Sequence, residues 1–143
     1  MLRKTRVLIV DDSAVVRQIF SKELAKDPEL EVVGSAPDPF VARDLIVQLR
    51  PDVITLDIEM PRMDGVEAAR RILQVSPATR IVALSMYGDV HYQQRMFQAG
   101  ALAYVLKNEA IDDLVTAIAA VLQGERFVSP AAGVITEIGR AHV

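Results

Sequence analysis

The chain contains no cysteine among its 143 residues. Without a thiol there is no cysteine nucleophile, no disulfide and no cysteine-ligated zinc, and the composition agrees with a reducing compartment. Long apolar segments are also scarce. The run Val7–Val10, between the basic first residues and two aspartates, is too short for the core of a signal peptide or for a membrane span. The sequence therefore predicts a cytoplasmic protein.

Blocks of like charge are missing as well, and the formal net charge is only -3. Nothing in this pattern favours binding to a nucleic-acid backbone or to an anionic membrane. No G-x-G-x-x-G follows the first apolar run, and no G-x-S-x-G occurs, which argues against dinucleotide binding and against serine-hydrolase chemistry. Of the two histidines, His91 opens a predicted helix and His142 lies near the end of the sequence.

Five short apolar runs are the strongest structural signal. They are Val7–Val10, Leu30–Val33, Val53–Leu56, Ile81–Leu84 and Ala103–Leu106. Runs of this length predict strands that are buried on both faces, as in a parallel sheet. The overall composition, 51% hydrophobic and 24% charged, is that of one ordinary globular domain.

A helical pattern with clear boundaries follows each run. The patterns end at Asp27-Pro28, Arg50-Pro51, Ser76-Pro77, Gly100 and Gly124. Asp38 and Asp64 are predicted to cap the second and third helices. Strand followed by helix, five times over, predicts an α/β fold: a doubly wound parallel sheet of five strands in the flavodoxin-like order 2-1-3-4-5.

Polar side chains stand where these predicted strands end. They are Asp11 and Asp12 after the first strand, Asp57 at the third, Ser85 at the fourth and Lys107 at the fifth. The carboxyl ends of parallel strands share one edge of the sheet, where ligands bind, so we expect these groups to gather there. Crowded carboxylates repel one another, and hard oxygen ligands favour Mg²⁺. The alternative is a plain lysine–aspartate salt bridge with solvated neighbours.

A carboxylate, a hydroxyl, an ammonium and a metal ion together indicate phosphoryl chemistry. Asp57 is the candidate nucleophile, because a buried strand tolerates a carboxylate only at its end. Lys107 and Mg²⁺ are suited to neutralise the phosphoryl oxygens, while Ser85 donates a hydrogen bond to one of them. The alternative for Asp57 is an ordinary turn or helix-capping role, although Asp64 is better placed to cap the next helix.

Four motifs in this order resemble the CheY-like receiver domains of bacterial response regulators, the switch proteins of two-component systems. The motifs are Val7–Ser13, Asp57 with Met60–Gly65, Ala83–Ser85 and Tyr104–Lys107. The resemblance covers roughly residues 5–124. Glu59-Met60-Pro61 is similar to receivers of chemotaxis methylesterases, whereas Tyr104–Ala110 and Gly124–Pro130 resemble receivers that precede LuxR- and NarL-type DNA-binding domains.

The resemblance implies a role for each site residue. Asp57 is the phospho-acceptor, and its phosphoryl group comes from a histidine kinase or a phosphotransfer protein. Asp12 and Asp57 ligate Mg²⁺ directly, Asp11 acts through water, and Glu59 contributes its main-chain carbonyl. Lys107 holds a phosphoryl oxygen.

The resemblance also implies a switch. Ser85 and Tyr104 form the hydroxyl-and-aromatic pair that reports the phosphate. The Tyr104 ring is expected to turn from solvent toward the sheet and so alter the surface of the fourth helix and fifth strand, where a partner or a phosphorylation-dependent second copy binds. The alternative is that Tyr104 is a half-buried core aromatic with one rotamer.

Some features depart from the pattern. Asn108 follows Lys107 where the family usually has proline, often after a cis bond, so the geometry of that peptide is left open. Residues 1–128 are predicted to form the receiver domain, and 129–143 a tail, a linker or residues that are not native. The output is left open between a DNA-binding domain, a methylesterase domain and a receiver that acts alone; an output domain, if there is one, is absent from this chain.

One alternative function remains open at this stage. An aspartate-nucleophile phosphohydrolase also attacks with a carboxylate at a strand end and needs an acid two residues later, where Glu59 stands. The chain lacks an added cap that would select a substrate. A receiver, by contrast, is a phospho-acceptor that catalyses only its own phosphorylation and dephosphorylation.

Overall fold

The computed structural model describes residues 3–61, 63–108 and 111–132. Strands and helices alternate along the chain. The strands are β1 Thr5–Val10, β2 Leu30–Ala36, β3 Val53–Asp57, β4 Arg80–Ser85, β5 Ala103–Leu106 and β6 Phe127–Val128. The helices are α1 Ala14–Leu24, α2 Pro39–Leu49, α3 Gly65–Val75, α4 Val90–Gln98 and α5 Ile111–Leu122, followed by a 3₁₀ turn at Pro130–Ala132.

The strands form one parallel sheet in the order β2-β1-β3-β4-β5-β6. The predicted α/β fold with strand order 2-1-3-4-5 is confirmed. The structure adds β6, whose residues Phe127 and Val128 pair with Ala103 and Tyr104. The sequence does not predict β6, because two residues are too few to show a strand periodicity.

The helix boundaries follow the predicted signals. Asp38 Oδ1 accepts from two backbone amides of α2 at 2.9 Å each, and Asp64 Oδ1 accepts from Val66 N at 2.9 Å at the start of α3. These bonds satisfy amides that have no partner inside the helix. After α4 and α5, Gly100 and Gly124 have φ of 111° and 78°, a left-handed backbone that glycine adopts without a steric cost.

The sheet separates two apolar layers. Leu8 and Val10 of β1 belong to the layer that includes residues of α2, α3 and α4. Val7 and Ile9, which alternate with them, belong to the layer that includes α1 and α5. β3 lies in the middle, and every one of its residues is buried. The last residue of this central strand is Asp57, so the fold carries a carboxylate to the edge of the core.

The segment after α5 packs against β5 and α4. Ser129 N donates to Tyr104 O at 2.9 Å, and Ser129 Oγ accepts from Leu106 N at 3.1 Å. Gln93 Nε2 donates to Ala132 O at 2.7 Å. The segment therefore covers the outer edge of β5 as far as Ala132. The rest of the predicted tail, 133–143 with His142, lies outside the described residues.

Within the part of the chain that the structure describes, every helix is too short or too polar to cross a bilayer.

Candidate functional site

Three carboxylates meet at the carboxyl edge of the sheet. Val10 and Leu56 pair across β1 and β3, so Asp11 and Asp57, the residues that follow them, emerge side by side. Both are buried, with exposures of 0% and 1%, whereas Asp12 is exposed. One oxygen of each carboxylate lies within 4.8 Å of the others. The structure thus brings together the acidic residues that the sequence singled out.

Lys107 supplies the positive charge among them. Its Nζ lies 2.8 Å from Asp11 Oδ2 and 3.4 Å from Asp57 Oδ2, and its side chain is only 11% exposed. Its backbone amide donates to Ser85 O at 2.7 Å, which fixes the start of the loop after β5. The described residues contain no cis peptide bond, so the Lys107–Asn108 peptide is trans.

Burial and charge shift the proton affinities of this cluster. Burial raises the pKa of Asp57 to about 6; the Asp11 charge adds to the rise, while the Glu59 amide and Lys107 oppose it. Burial alone would lower the pKa of Lys107, but the carboxylates of Asp11 and Asp57 prevail and raise it. Lys107 is therefore positively charged at neutral pH. Burial of the Asp57 carboxyl opposes its ionisation.

The donor set fits a small divalent cation. All three side chains offer carboxylate oxygens, the hard ligands that Mg²⁺ prefers. Asp11 Oδ2 is buried and is paired with the Lys107 ammonium, 2.8 Å away. A single ammonium faces three carboxyl groups, so a cation at this position would balance the charge and give Asp11 a second partner.

The hydroxyl of Ser85 lies on the neighbouring strand end. Asp57 pairs with Leu84, and Ile58 N donates to Leu84 O at 3.0 Å, which places Ser85 next to the site. Ser85 Oγ donates to Glu59 Oε2 at 2.8 Å, and Met86 N donates to Glu59 Oε1 at 2.9 Å. The Glu59 carboxylate thus bridges a hydroxyl and an amide at the end of β4.

Tyr104 lies inside the protein. Its side chain is 1% exposed, and its hydroxyl donates to Tyr87 O at 2.7 Å. Ser85 Oγ contacts the same carbonyl at 3.0 Å and accepts from Tyr87 N at 3.0 Å. Burial raises the pKa of the Tyr104 phenol. Ser85 and Tyr104 therefore meet through the backbone of Tyr87, and the ring is already turned toward the sheet.

Two participants were not predicted. The resemblance assigned the main-chain carbonyl of Glu59 to the metal site, and the phosphohydrolase alternative gave its side chain the role of an acid. Neither predicted the contacts of that side chain with Ser85 and Met86. Met86 contributes a backbone amide, which every residue except proline possesses, so no sequence signal distinguishes it. Both residues lie in loops, where no repeating pattern in the sequence indicates which atoms come into contact.

Comparison with known proteins agrees with this geometry. The family model described as the response regulator receiver domain matches residues 7–119. The protein-glutamate methylesterase/protein-glutamine glutaminase 2 of Syntrophus aciditrophicus is 60% identical over 85 residues, which are 59% of this chain and 25% of that protein. The corresponding enzyme of Bdellovibrio bacteriovorus is 42% identical over 136 residues, 92% of this chain and 38% of that protein.

A solved structure is similar over nearly the whole chain. The two-component response regulator of the LuxR family from Aurantimonas sp. SI85-9A1 has a TM-score of 0.86 and 34% identity, and the match covers 94% of each chain. By contrast, the chain spans between a quarter and two fifths of the two methylesterases.

Proposed function

Because the chain belongs to the family of response regulator receiver domains, we propose that Asp57 is the residue on which it accepts a phosphoryl group. The observation that carries this assignment is the position of the Asp57 carboxylate. It ends the central strand, lies 3.4 Å from Lys107 Nζ and belongs to a cluster whose oxygens lie within 4.8 Å of one another. Asp11 is bound more closely by Lys107, at 2.8 Å, and Asp12 is exposed.

The chemical step is the transfer of one phosphoryl group. An oxygen of the ionised Asp57 carboxylate forms a bond to phosphorus, and the bond between phosphorus and the donor atom breaks, so the electron pair leaves with the donor. No base is required, because the carboxylate carries no proton at neutral pH. Lys107 is positioned to contact a phosphoryl oxygen, and its charge offsets the negative charge brought in by the group.

Mg²⁺ is the proposed cofactor. Asp12 and Asp57 would hold it directly, with Asp11 through water and the Glu59 main-chain carbonyl as a further ligand. When bound, the ion would neutralise charge on the carboxylates and on the phosphoryl oxygens. The three carboxylates, whose oxygens lie within 4.8 Å of one another, support this assignment.

A phosphorylated histidine of a kinase or phosphotransfer protein is the proposed donor. The proposed reporters are Ser85 and Tyr104, and the proposed binding surface for a partner or second copy comprises α4 and the loop before it. Met86 and Tyr87 in that loop are 49% and 70% exposed. Since β6 already pairs with β5, strand-to-strand pairing at that edge would first require β6 to leave.

The experiment is phosphorylation with Mg²⁺ and a small phosphodonor such as acetyl phosphate. We expect one acid-labile phosphate per chain in the wild type, and none in Asp57→Asn or after addition of a chelator. Asp64→Asn is the matched control, since Asp64 is an aspartate outside the cluster; it should still be labelled.

Two results would contradict the proposal. Undiminished labelling of Asp57→Asn would place the phosphate elsewhere. Continuous release of phosphate from general phosphomonoesters would instead indicate an aspartate-based phosphohydrolase. Ser85→Ala tests the reporters: the aromatic NMR signals of Tyr104 should change on phosphorylation in the wild type and change less in this variant.

A further inference from the structure

The side chain of Glu59 binds two hydrogen-bond donors at the end of β4, one of which is the Ser85 hydroxyl that the sequence predicts as a donor to a phosphoryl oxygen. Its two carboxylate oxygens are held separately, Oε2 by the Ser85 hydroxyl at 2.8 Å and Oε1 by the Met86 amide at 2.9 Å. Both donors lie at the end of β4, next to the strand that ends in Asp57. Donors that converge on one oxyanion are suited to bind another.

We propose that the Glu59 carboxylate is an internal competitor of the phosphoryl group, and that it must leave Ser85 and Met86 before a phosphoryl group on Asp57 can bind there. This inference rests on the proposed function, because it concerns the donors around Asp57. It adds a role for the side chain of a residue whose main-chain carbonyl was assigned to the metal site.

Hydrogen-bond capacity makes the two occupants mutually exclusive. A serine hydroxyl carries one proton, so Ser85 can donate to Glu59 or to a phosphoryl oxygen, but not to both. The Met86 amide likewise carries one proton. A carboxylate and a phosphoryl group are both anions, so charge repulsion adds to this competition.

The competitor is able to leave. Glu59 is exposed, so its side chain can rotate away from the two donors into water. Its backbone stays in place, because Glu59 N donates to Asp57 Oδ1 at 2.9 Å. Departure therefore requires a rotamer change of one side chain rather than a rearrangement of the loop.

The competitor is connected to the second switch residue. Ser85 Oγ and the Tyr104 hydroxyl both contact Tyr87 O, at 3.0 and 2.7 Å. When Glu59 leaves, the Ser85 hydroxyl becomes free to donate to a phosphoryl oxygen, and its contact with Tyr87 O can change. The exchange at Ser85 is therefore passed to Tyr104 through one carbonyl group.

The test measures the affinity for beryllofluoride, a stable anionic substitute for the phosphoryl group, at saturating Mg²⁺. The Met86 amide signal in ¹⁵N NMR spectra reports binding. Losing two bonds to an ionised acceptor predicts that Glu59→Ala binds beryllofluoride roughly tenfold more tightly than the wild type. Glu59→Gln, which keeps one acceptor oxygen without the charge, should fall between them.

A matched control is available at the other edge of the sheet. Glu29 is exposed, and it stands just before β2, at the amino end of the strands. Glu29→Ala removes the same group and the same charge, and should leave the affinity within about twofold of the wild type. In addition, Met86 amide exchange without metal or beryllofluoride should be faster in Glu59→Ala than in Glu29→Ala, because only the former loses its hydrogen-bond acceptor.

Three outcomes would overturn the proposal. They are an unchanged affinity in Glu59→Ala, an equal gain in Glu29→Ala, or weaker binding in Glu59→Ala, which would mean that the carboxylate pre-orders the loop instead of competing. If the wild type binds no beryllofluoride with Mg²⁺, the proposed function itself fails. If it binds in an Asp57-dependent manner and Glu59→Ala changes nothing, only the competitor is refuted.

Discussion

Replacing Asp57 with asparagine should make the metal-free protein more stable. The carboxylate is 1% exposed, and burial raises its pKa from 3.8 to about 6, with the charge of Asp11 adding to the effect. A carboxyl group whose pKa is higher in the folded than in the unfolded chain destabilises the fold once it ionises. Asparagine has nearly the same shape and carries no charge.

The magnitude follows from the two pKa values of Asp57, 3.8 in the unfolded chain and about 6 in the folded one. A tenfold change in proton affinity corresponds to 1.36 kcal/mol, so the difference is worth about 3 kcal/mol. Below pH of about 3 the carboxyl is protonated in both states and costs nothing. The cost develops as the pH rises from the unfolded toward the folded pKa, and it is essentially complete by about pH 7.

The assay is urea denaturation in a chelator from about pH 3 to 8. Asp57→Asn and the wild type should be equally stable at the acid end, and the variant should be more stable by about 3 kcal/mol at the alkaline end. For a chain of this size that corresponds to about 10 °C in Tm. Equal or lower stability of Asp57→Asn at pH of about 8 would refute the reasoning.

Asp52→Asn is a control for which the opposite change in stability is expected. Burial alone would raise its pKa, but hydrogen bonds from Arg3, whose Nη2 lies 2.6 Å from Oδ1, and from the Arg6 amide, at 2.8 Å, lower it. The ionised form is therefore the stabilising one, and that stability is lost as the pH falls through the folded pKa. Asp52→Asn should destabilise the protein at neutral pH, and the difference should shrink on acidification.

Two further predictions concern the backbone, and urea denaturation tests both. Ser129→Ala leaves the buried Leu106 amide without the acceptor that lies 3.1 Å away. The free energy of unfolding should fall by about 1–3 kcal/mol. An unchanged denaturation midpoint would show that the segment after α5 does not stabilise the domain. Gly124→Ala, at φ 78° in open space, should cost about 1 kcal/mol. Gly100→Ala, at φ 111° with its new methyl group against Leu73, should cost more, and the reverse order would contradict this account.

Strand order and strand ends could be predicted because both follow from repeating patterns. β5 was predicted with the bounds Ala103–Leu106 that the structure has, since an apolar run between polar residues defines a buried strand. Once the strands are parallel, the residue after each run must lie at the common edge. This reasoning is enough to bring Asp11 and Asp57 together.

Side-chain contacts within loops could not be predicted in the same way. Glu59 lies in a loop, where no periodicity determines the direction of a side chain, and its partners Ser85 and Met86 are 26 and 27 residues away. Similarly, nothing in the sequence distinguishes Gln93 from the other polar residues of α4, yet the structure buries it, and its side chain donates to Ala132 O. Such contacts depend on how distant segments meet.

The burial of Asp57 connects the stability of the domain to its proposed switch. In the metal-free protein the ionised carboxylate costs about 3 kcal/mol, and the fold tolerates this because the apolar layers on both faces of the sheet hold β3 in place. A cation bound at the carboxyl edge would offset that cost. The charge at the end of β3 on which the proposed chemistry depends is therefore also the charge that lowers the stability of the domain.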